Sequence, residues 1–179
     1  MTRASQARVD RRQAKQLIST GRSLLSRTLA SMPANDRAFL ELALGDRLNE
    51  PKMRFTAEPY ELYLFDWVTS LDASGCGSVI HLFMPAIKRE DFHAHRWDNV
   101  SQIISGSYEE IWRPKAPKPD GEIVRHWREG DVIKRDADEG HSLALSPGCP
   151  YVLTVFWNGP QIRDTSFRLD RKTGIARWE

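Results

Sequence analysis

The sequence predicts an all-β domain preceded by an α-helical hairpin, because the residue pattern changes near position 50. Before that point apolar residues recur three and four positions apart, which is typical of one helix face. After Pro51 the chain consists of short runs rich in β-branched and aromatic residues, separated by Gly, Pro, Asn and Asp. No helical pattern intervenes between about residues 60 and 170, which excludes a βαβ architecture and favours a sandwich or barrel. We therefore expect a helical segment over residues 1–50 and a β-domain over residues 51–179.

Two helices are predicted within the first 50 residues. The apolar face of the first runs from Ala14 to Leu29, and Pro33 ends it. The segment NDRAFLELALGDRL predicts the second helix, with Asn35 or Asp36 as its N-cap. Its expected buried stripe consists of Phe39, Leu40, Ala43 and Leu44. We expect this stripe to pack on its own domain, with a dimer contact as the alternative.

Composition and charge narrow the class of protein. A hydrophobic content of 40% and a charged content of 28% are ordinary for a soluble protein. No apolar run approaches the roughly 20 residues of a membrane span, and no apolar core follows the basic N-terminus to make a secretory signal. We therefore expect a cytoplasmic protein without a membrane partner. Cys76 and Cys149 lack CxxC spacing, so reduced thiols that are packed or semi-exposed are expected, and not nucleophiles.

The N-terminal arm is basic, since residues 1–30 hold seven basic residues against Asp10 alone. Such an arm can favour nucleic acid or an anionic membrane. At this modest density a solvated tail and helix face is the favoured explanation, so we do not expect a nucleic-acid partner.

Eight strands are predicted from the runs after Pro51. They are YELYLFDWV, CGSVIHLFMPAI, NVSQIIS, SYEEIW, GEIVRHW, GDVIKR, HSLAL and PYVLTVFW. RPKAPKPDGE is expected to form a long hairpin loop, and DRKTG another turn. The tryptophans on these strands, Trp112, Trp127 and Trp157, are expected mainly in the core, and His81 is expected to be an ordinary strand residue.

Three histidines are the candidate metal ligands. His93 and His95 are one residue apart, so an extended strand points both to the same face, and Asn99 shares their parity. Further along, a strand opened by Gly130 leads through an acidic turn to His141. On neighbouring strands these imidazoles would suit Zn, Fe, Ni, Cu or Mn. The alternative is that the histidines only line a polar barrel interior.

The two histidine segments resemble the paired motifs of the cupin superfamily. HAHRWDNVSQIISG, ending at Gly106, has the spacing of the first motif, and GDVIKRDADEGH keeps the Gly130 and His141 of the second. The resemblance spans roughly residues 60–160 and implies a double-stranded β-helix of the RmlC-like jelly-roll type. It also implies that His93, His95, His141 and Asn99 hold one divalent metal in the barrel mouth, and that the protein is a homodimer.

The departures from these motifs bear on the chemistry. Asn99 stands where the family usually has Glu, so the site resembles that of three-histidine cupin dioxygenases. Fe(II) is the metal we expect most, with Zn, Ni or Mn as alternatives. Asp136 and Asp138 replace Pro and Gly, either as turn residues or as hydrogen-bond partners that orient an imidazole. Asp98 is adjacent to the motif but out of phase.

Substrate-binding candidates surround the histidine motifs. Trp97 shares the parity of the ligands, Gln102 follows Asn99, and the guanidinium of Arg135 would match a carboxylate. Weaker candidates are Ser101 and the possible anion anchors Arg125, His126 and Arg163. Cys149 and Tyr151 lie two apart on one strand, about 7 Å, which argues against a crosslink between them.

The sequence therefore predicts a metal-dependent cupin, with dioxygenase-type oxidation of a small anionic substrate as the preferred activity. No catalytic side chain is assigned. The alternative is a non-catalytic ligand-binding or sensor module with a structural metal, and a third hypothesis is a nucleic-acid-binding arm regulated by the barrel.

Overall fold

A computed structural model of the protein describes residues 11–55, 61–87, 91–113, 123–164, 166–170 and 176–178. The helical part consists of α1 (Arg11–Ser31), α2 (Ala34–Leu44) and a 3-10 turn (Gly45–Asn49). The strands are β1 (Lys52–Phe55), β2 (Leu62–Leu71), β3 (Gly77–Phe83), β4 (Asp91–Ala94), β5 (Asn99–Ser105), β6 (Ser107–Arg113), β7 (Ile123–Arg128), β8 (Val132–Arg135), β9 (Gly140–Leu145), β10 (Val152–Asn158), β11 (Phe167–Asp170) and β12 (Ala176–Trp178). Among the described residues, no helix combines the length and apolar character needed to cross a membrane.

The strands form two six-stranded antiparallel sheets. The first has the order β1-β2-β3-β10-β5-β8, and the second has the order β12-β11-β4-β9-β6-β7. From β3 to β5, and again from β8 to β11, consecutive strands alternate between the two sheets, as in a double-stranded β-helix. The predicted all-β fold preceded by a helical hairpin is confirmed.

The helical hairpin packs on the outer face of the first sheet. Leu25 of α1 and Leu40 of α2 belong to one buried apolar cluster with Phe65, Leu82 and Leu153 of the sheet. Burying one such side chain contributes about 1.5–3 kcal/mol, so this cluster holds both helices against the sheet. The predicted stripe of α2 therefore packs on its own domain, as expected.

Two details of α2 differ from the prediction. The helix begins at Ala34, directly after Pro33, so neither Asn35 nor Asp36 is its N-cap. Asp36 is instead buried in the first turn, where its carboxylate accepts a hydrogen bond of 2.6 Å from the Tyr151 hydroxyl. Ala43 is exposed rather than buried, because the contact with the sheet is narrower than the apolar stripe.

A second apolar cluster fills one end of the barrel interior. It consists of Leu64, Phe83, Ile103, Tyr108, Ile133 and Val152, with Leu143 and Leu145 packed against it. Leu145 is four residues from His141 on β9, so the two lie about 13 Å apart along the strand. The barrel therefore has an apolar end and a histidine end.

The strand predictions were incomplete at the edges. β1, β4, β11 and β12 lie outside the eight predicted runs, since each is only three or four residues long. Trp157, expected in the core, faces outward and is 41% exposed. The connections predicted from RPKAPKPDGE and DRKTG fall largely on residues 114–122 and 171–175, outside the described residues.

Candidate metal centre

The three predicted histidines come together through strand pairing in the second sheet. His93 lies on β4 directly opposite His141 on β9, and His95 follows one residue after β4 ends. Cross-strand partners on one face have Cβ atoms about 4.5–5.5 Å apart, so this register alone brings two imidazoles into contact. Alternation then directs Phe92 and Ala94, both buried, to the opposite face of β4.

The imidazole rings converge on one point. Their centroids are 4.4 Å apart for His93 and His141, and 5.1 Å apart for His95 and each of the other two. One nitrogen from each ring lies within 4.8 Å of the other two. Nitrogens that bind one metal at about 2.1 Å lie closer to one another than 4.8 Å, so small side-chain rotations would bring these three to metal-binding distance.

Burial keeps the imidazoles of His95 and His141 neutral. Desolvation, followed by the nearby His93 and Arg135, holds the pKa of both His95 and His141 well below the ordinary value of 6.5. The neutral imidazole is the form that binds a metal. His141 is only 2% exposed, whereas His93 and His95 are half-buried.

Asn99 reaches the barrel interior by a different route from the one predicted. The chain turns between β4 and β5 and crosses to the first sheet, so Asn99 is not on the same strand as the histidines. It alternates with Ser101 and Ile103 as an inward-facing residue of β5. Asn99 is 3% exposed, and neither its amide nitrogen nor its amide oxygen has a hydrogen-bond partner among the described residues. Such an orphaned amide requires an explanation, and a bound ligand or water is the ordinary one.

Two aromatic rings flank the cluster. The ring of Trp97, in the turn after β4, stacks on His95 with centroids 6.2 Å apart. Phe156 of β10 approaches the same imidazole from the first sheet at 5.5 Å. The prediction that Trp97 lies beside the histidines therefore agrees with its position.

Arg135 lies in the barrel interior, but its guanidinium is already committed. It donates to the Glu110 carboxylate at 2.7 Å and to the Tyr108 hydroxyl at 3.2 Å. The second Glu110 oxygen accepts from the indole of Trp127 at 2.6 Å. Arg135 and Glu110 are both buried, so the pair balances its own charge inside the barrel. This network leaves Arg135 little capacity to bind a substrate carboxylate.

Gln102 is not brought to the histidine side of the sheet. It lies between the inward-facing Ser101 and Ile103, so its side chain points to the opposite face of β5. Its partner on β10 is Val155, which packs toward the helical hairpin.

The weaker anion-anchor candidates lie in different places. Arg125 projects inward from β7, where its guanidinium stacks 4.1 Å above the ring of Trp112. His126 points outward, with its side chain 70% exposed beside Glu109. Arg163 pairs with Asp138 at 3.3 Å near the turn that precedes His141.

The acidic residues of the second motif form a turn, as preferred from the sequence. The Asp136 amide donates to the Glu139 carboxylate, and the Glu139 amide donates to the Asp136 carbonyl, each at 3.1 Å. No residue other than glycine has a positive φ in the described part of the chain, so these aspartates do not need the left-handed conformation. Asp98 accepts from the Ala137 amide at 2.8 Å, tying the first motif to the second.

Cys149 and Tyr151 diverge, which agrees with the prediction against a crosslink. The thiol of Cys149 lies beside the interior cluster, whereas the Tyr151 hydroxyl reaches Asp36 under the hairpin.

Sequence reasoning missed two interior residues. Glu110 is fully buried, and its parity with Tyr108 and Trp112 in SYEEIW was the available signal. His81 is also interior, between Phe83 and Phe156 at 5.4 Å from each, and burial lowers its pKa to about 4.

Comparisons with known proteins support the fold. No protein-family model matches the sequence, and no curated protein matches it. A crystal structure of Fe(II)-HppE with the alternative substrate (S)-1-HPP matches with a TM-score of 0.50 at 10% identity, over 62% of this chain and 57% of that one. The chain thus spans less than two thirds of that protein's length.

In two further matches a larger share of the known structure is covered. The DMSP lyase DddQ from Ruegeria pomeroyi DSS-3 matches with a TM-score of 0.51 at 16% identity, over 75% of this chain and 71% of that one. Drosophila melanogaster CENP-C bound to CAL1 matches with a TM-score of 0.50 at 13% identity, over 70% of this chain and 96% of that one. At such identities a likeness shows the fold alone. The chain therefore has a cupin-like β-barrel in which three histidines meet at one end.

Proposed function

We propose that this protein is a metal-dependent enzyme whose single metal is held by His93, His95 and His141. The observation that carries the proposal is the convergence of three imidazole nitrogens within 4.8 Å of one another, with His141 buried and the other two half-buried. Without a metal, three imidazoles gathered inside a barrel would lose solvation and gain little in return. A divalent ion would offset that cost directly.

The donor set favours a first-row transition metal. Imidazole suits Fe, Zn, Ni and Cu, whereas Ca²⁺ and Mg²⁺ prefer oxygen ligands. The group of three contains no carboxylate, so the ion would keep its full double charge. Arg135 does not change this balance, because Glu110 neutralises it at 2.7 Å. A small anionic ligand is therefore the expected occupant of the open coordination positions.

We propose Fe(II) as the metal and a dioxygenase-type oxidation as the reaction. Bound iron would let electrons pass from the organic substrate, which is oxidised, to O₂, which is reduced, and no side chain of this chain can do this. The chain's own residues would hold and orient the reactants. Trp97 and Phe156 would exclude water beside His95, and the orphaned amide of Asn99 would hydrogen-bond the substrate or bind the metal as a fourth ligand.

Metal content is the first test. We expect near-stoichiometric iron in protein purified under reducing conditions, and loss of most of it in His93→Ala and His141→Ala. The matched control is His126→Ala, since that imidazole is 70% exposed and faces outward from β7. Equal metal content in the ligand variants and the control would contradict the proposed site.

Oxygen uptake is the second test. Iron-loaded protein is screened with small carboxylic acids in an oxygen electrode, and we expect substrate-dependent consumption that disappears in His141→Ala. Stoichiometric zinc or nickel would keep the site but contradict the oxidase proposal.

A non-catalytic binding module is the second candidate function. The same fold occurs in CENP-C bound to CAL1, so the barrel by itself does not imply catalysis. Tight binding of a small acid to the metal-loaded protein, without O₂ consumption or product formation, would favour this alternative. A homodimer remains a proposal for either function, to be tested by the mass of the protein in solution.

A further inference from the structure

We propose that Arg125, stacked on Trp112, is the anchor for a carboxylate of the substrate. This inference rests on the proposed metal site and identifies the substrate class as a small organic acid. Its carboxylate would bind Arg125 while its other end reaches the metal.

The strand register places Arg125 beside the histidines. On the inner face of the second sheet, Trp112 of β6 is the direct partner of His141 on β9. Arg125 of β7 is paired with Glu110, whose side chain points into the barrel, so Arg125 projects to the same side. Its guanidinium carbon lies 4.1 Å from the centroid of the Trp112 ring. The guanidinium therefore contacts the side chain that is the direct cross-strand partner of His141.

The guanidinium is held in place without using its donors. Among the described residues, Arg125 makes no hydrogen bond or ion pair, and its contact with Trp112 places the guanidinium carbon over the indole ring. Stacking leaves the edge with its five N–H donors open, and that edge matches a carboxylate in a bidentate arrangement.

The nearest inward-facing carboxylate does not satisfy Arg125. Glu110 is its cross-strand partner, but one Glu110 oxygen accepts from Arg135 and the other from Trp127. Arg135 is thus paired with Glu110 inside the barrel. The N–H donors of Arg125, in contrast, have no acceptor among the described residues.

A second observation points to a ligand at the same place. The indole nitrogen of Trp112 is buried without a hydrogen-bond partner among the described residues. On the opposite sheet, the amide of Asn99 is 3% exposed and equally without a partner. Buried donors are rarely left unsatisfied, so these groups indicate that an acceptor-rich ligand occupies the space between them.

Two matched probes test the anchor. The Co(II)-loaded protein is titrated with glutaric acid monohydroxamate and with pentanohydroxamic acid, and binding is followed by the visible absorption of Co(II). Both probes bind the metal through the hydroxamate and differ only in a terminal carboxylate in place of a methyl group. We expect the carboxylate probe to bind at least about tenfold more tightly, since it gains a charge-assisted bidentate contact.

The variants assign this preference to one residue. Arg125→Gln should abolish the preference, whereas its affinity for pentanohydroxamic acid, which also reports an intact fold, should stay unchanged. Arg125→Lys should keep part of the preference through its charge. Arg128→Gln is the control, because it removes the same charge from an exposed position on β7.

Two results would overturn the proposal. One is equal affinity of the wild-type protein for both probes, and the other is a preference that survives in Arg125→Gln. If the protein does not bind Co(II), the proposed function fails as well. If Co(II) binds and the two probes are not distinguished, the anchor alone fails.

Discussion

The buried pair of Arg135 and Glu110 gives a quantitative test of the barrel interior. The side chains are 4% and 0% exposed, with a nitrogen–oxygen distance of 2.7 Å. Replacing Arg135 by Met leaves the Glu110 carboxylate buried with only the indole of Trp127 as a partner. Removing one member of a buried ion pair costs about 3–5 kcal/mol. For a protein of this size, that loss lowers the melting temperature by about 6–20 °C.

The assay is urea unfolding of the metal-free protein, completed as a double-variant cycle with Glu110→Leu. The double variant should lose less stability than the sum of the single variants, because it leaves no unpaired charge in the barrel. Arg37→Met is the matched control, since its pair with Glu41 is similarly short at 2.8 Å but 53% exposed on both sides. That control should change stability by less than about 1 kcal/mol. An Arg135→Met variant within 1 kcal/mol of the wild type, or an additive cycle, would refute the reasoning.

Three other predictions concern stability. His81 has its folded pKa lowered by burial to about 4, so the unfolded chain binds a proton first as pH falls below about 6.5. Between pH 6.5 and pH 4 the free energy of unfolding of the wild type, measured by urea titration at each pH, should therefore fall by up to about 3 kcal/mol more than that of His81→Leu. The same pH dependence of unfolding free energy in both proteins would contradict this. Leu40→Ala should cost about 2–5 kcal/mol in urea unfolding because Leu40 is 0% exposed, whereas Leu42→Ala, at 89% exposure, should be nearly neutral. Gly106→Ala should lower the melting temperature more than Gly130→Ala does. Both glycines have a positive φ, but of the two only Gly106 is so close to the Tyr151 carbonyl oxygen that an added Cβ would collide with it. Equal melting temperatures of the two variants would argue against that contact.

Much of the fold was readable from local pattern. The change from helical spacing to short alternating strands near Pro51 predicted both parts of the chain, because amphipathic periodicity depends on neighbours along the sequence. The short strands β1, β4, β11 and β12 were missed for the same reason. Three or four residues carry too little pattern, and pairing with neighbouring strands is what makes them strands.

The candidate metal centre divides in the same way. The sequence by itself determined the three histidines, since the HxH spacing sets one pair and the motif spacing selects His141. Asn99 was also identified, but the argument from strand parity was incorrect. The chain turns after β4, and Asn99 faces the interior from the other sheet.

Only the tertiary structure decided which arginine is available. From the sequence Arg135 was the preferred anion anchor and Arg125 a weaker one, because nothing local shows what each side chain will face. Folding places Glu110, 25 positions before Arg135, within 2.7 Å of that guanidinium, and it sets Arg125 over Trp112 with no hydrogen-bond partner among the described residues. Charge pairing inside a barrel depends on contacts between distant strands, and these are fixed by register and closure rather than by neighbouring residues.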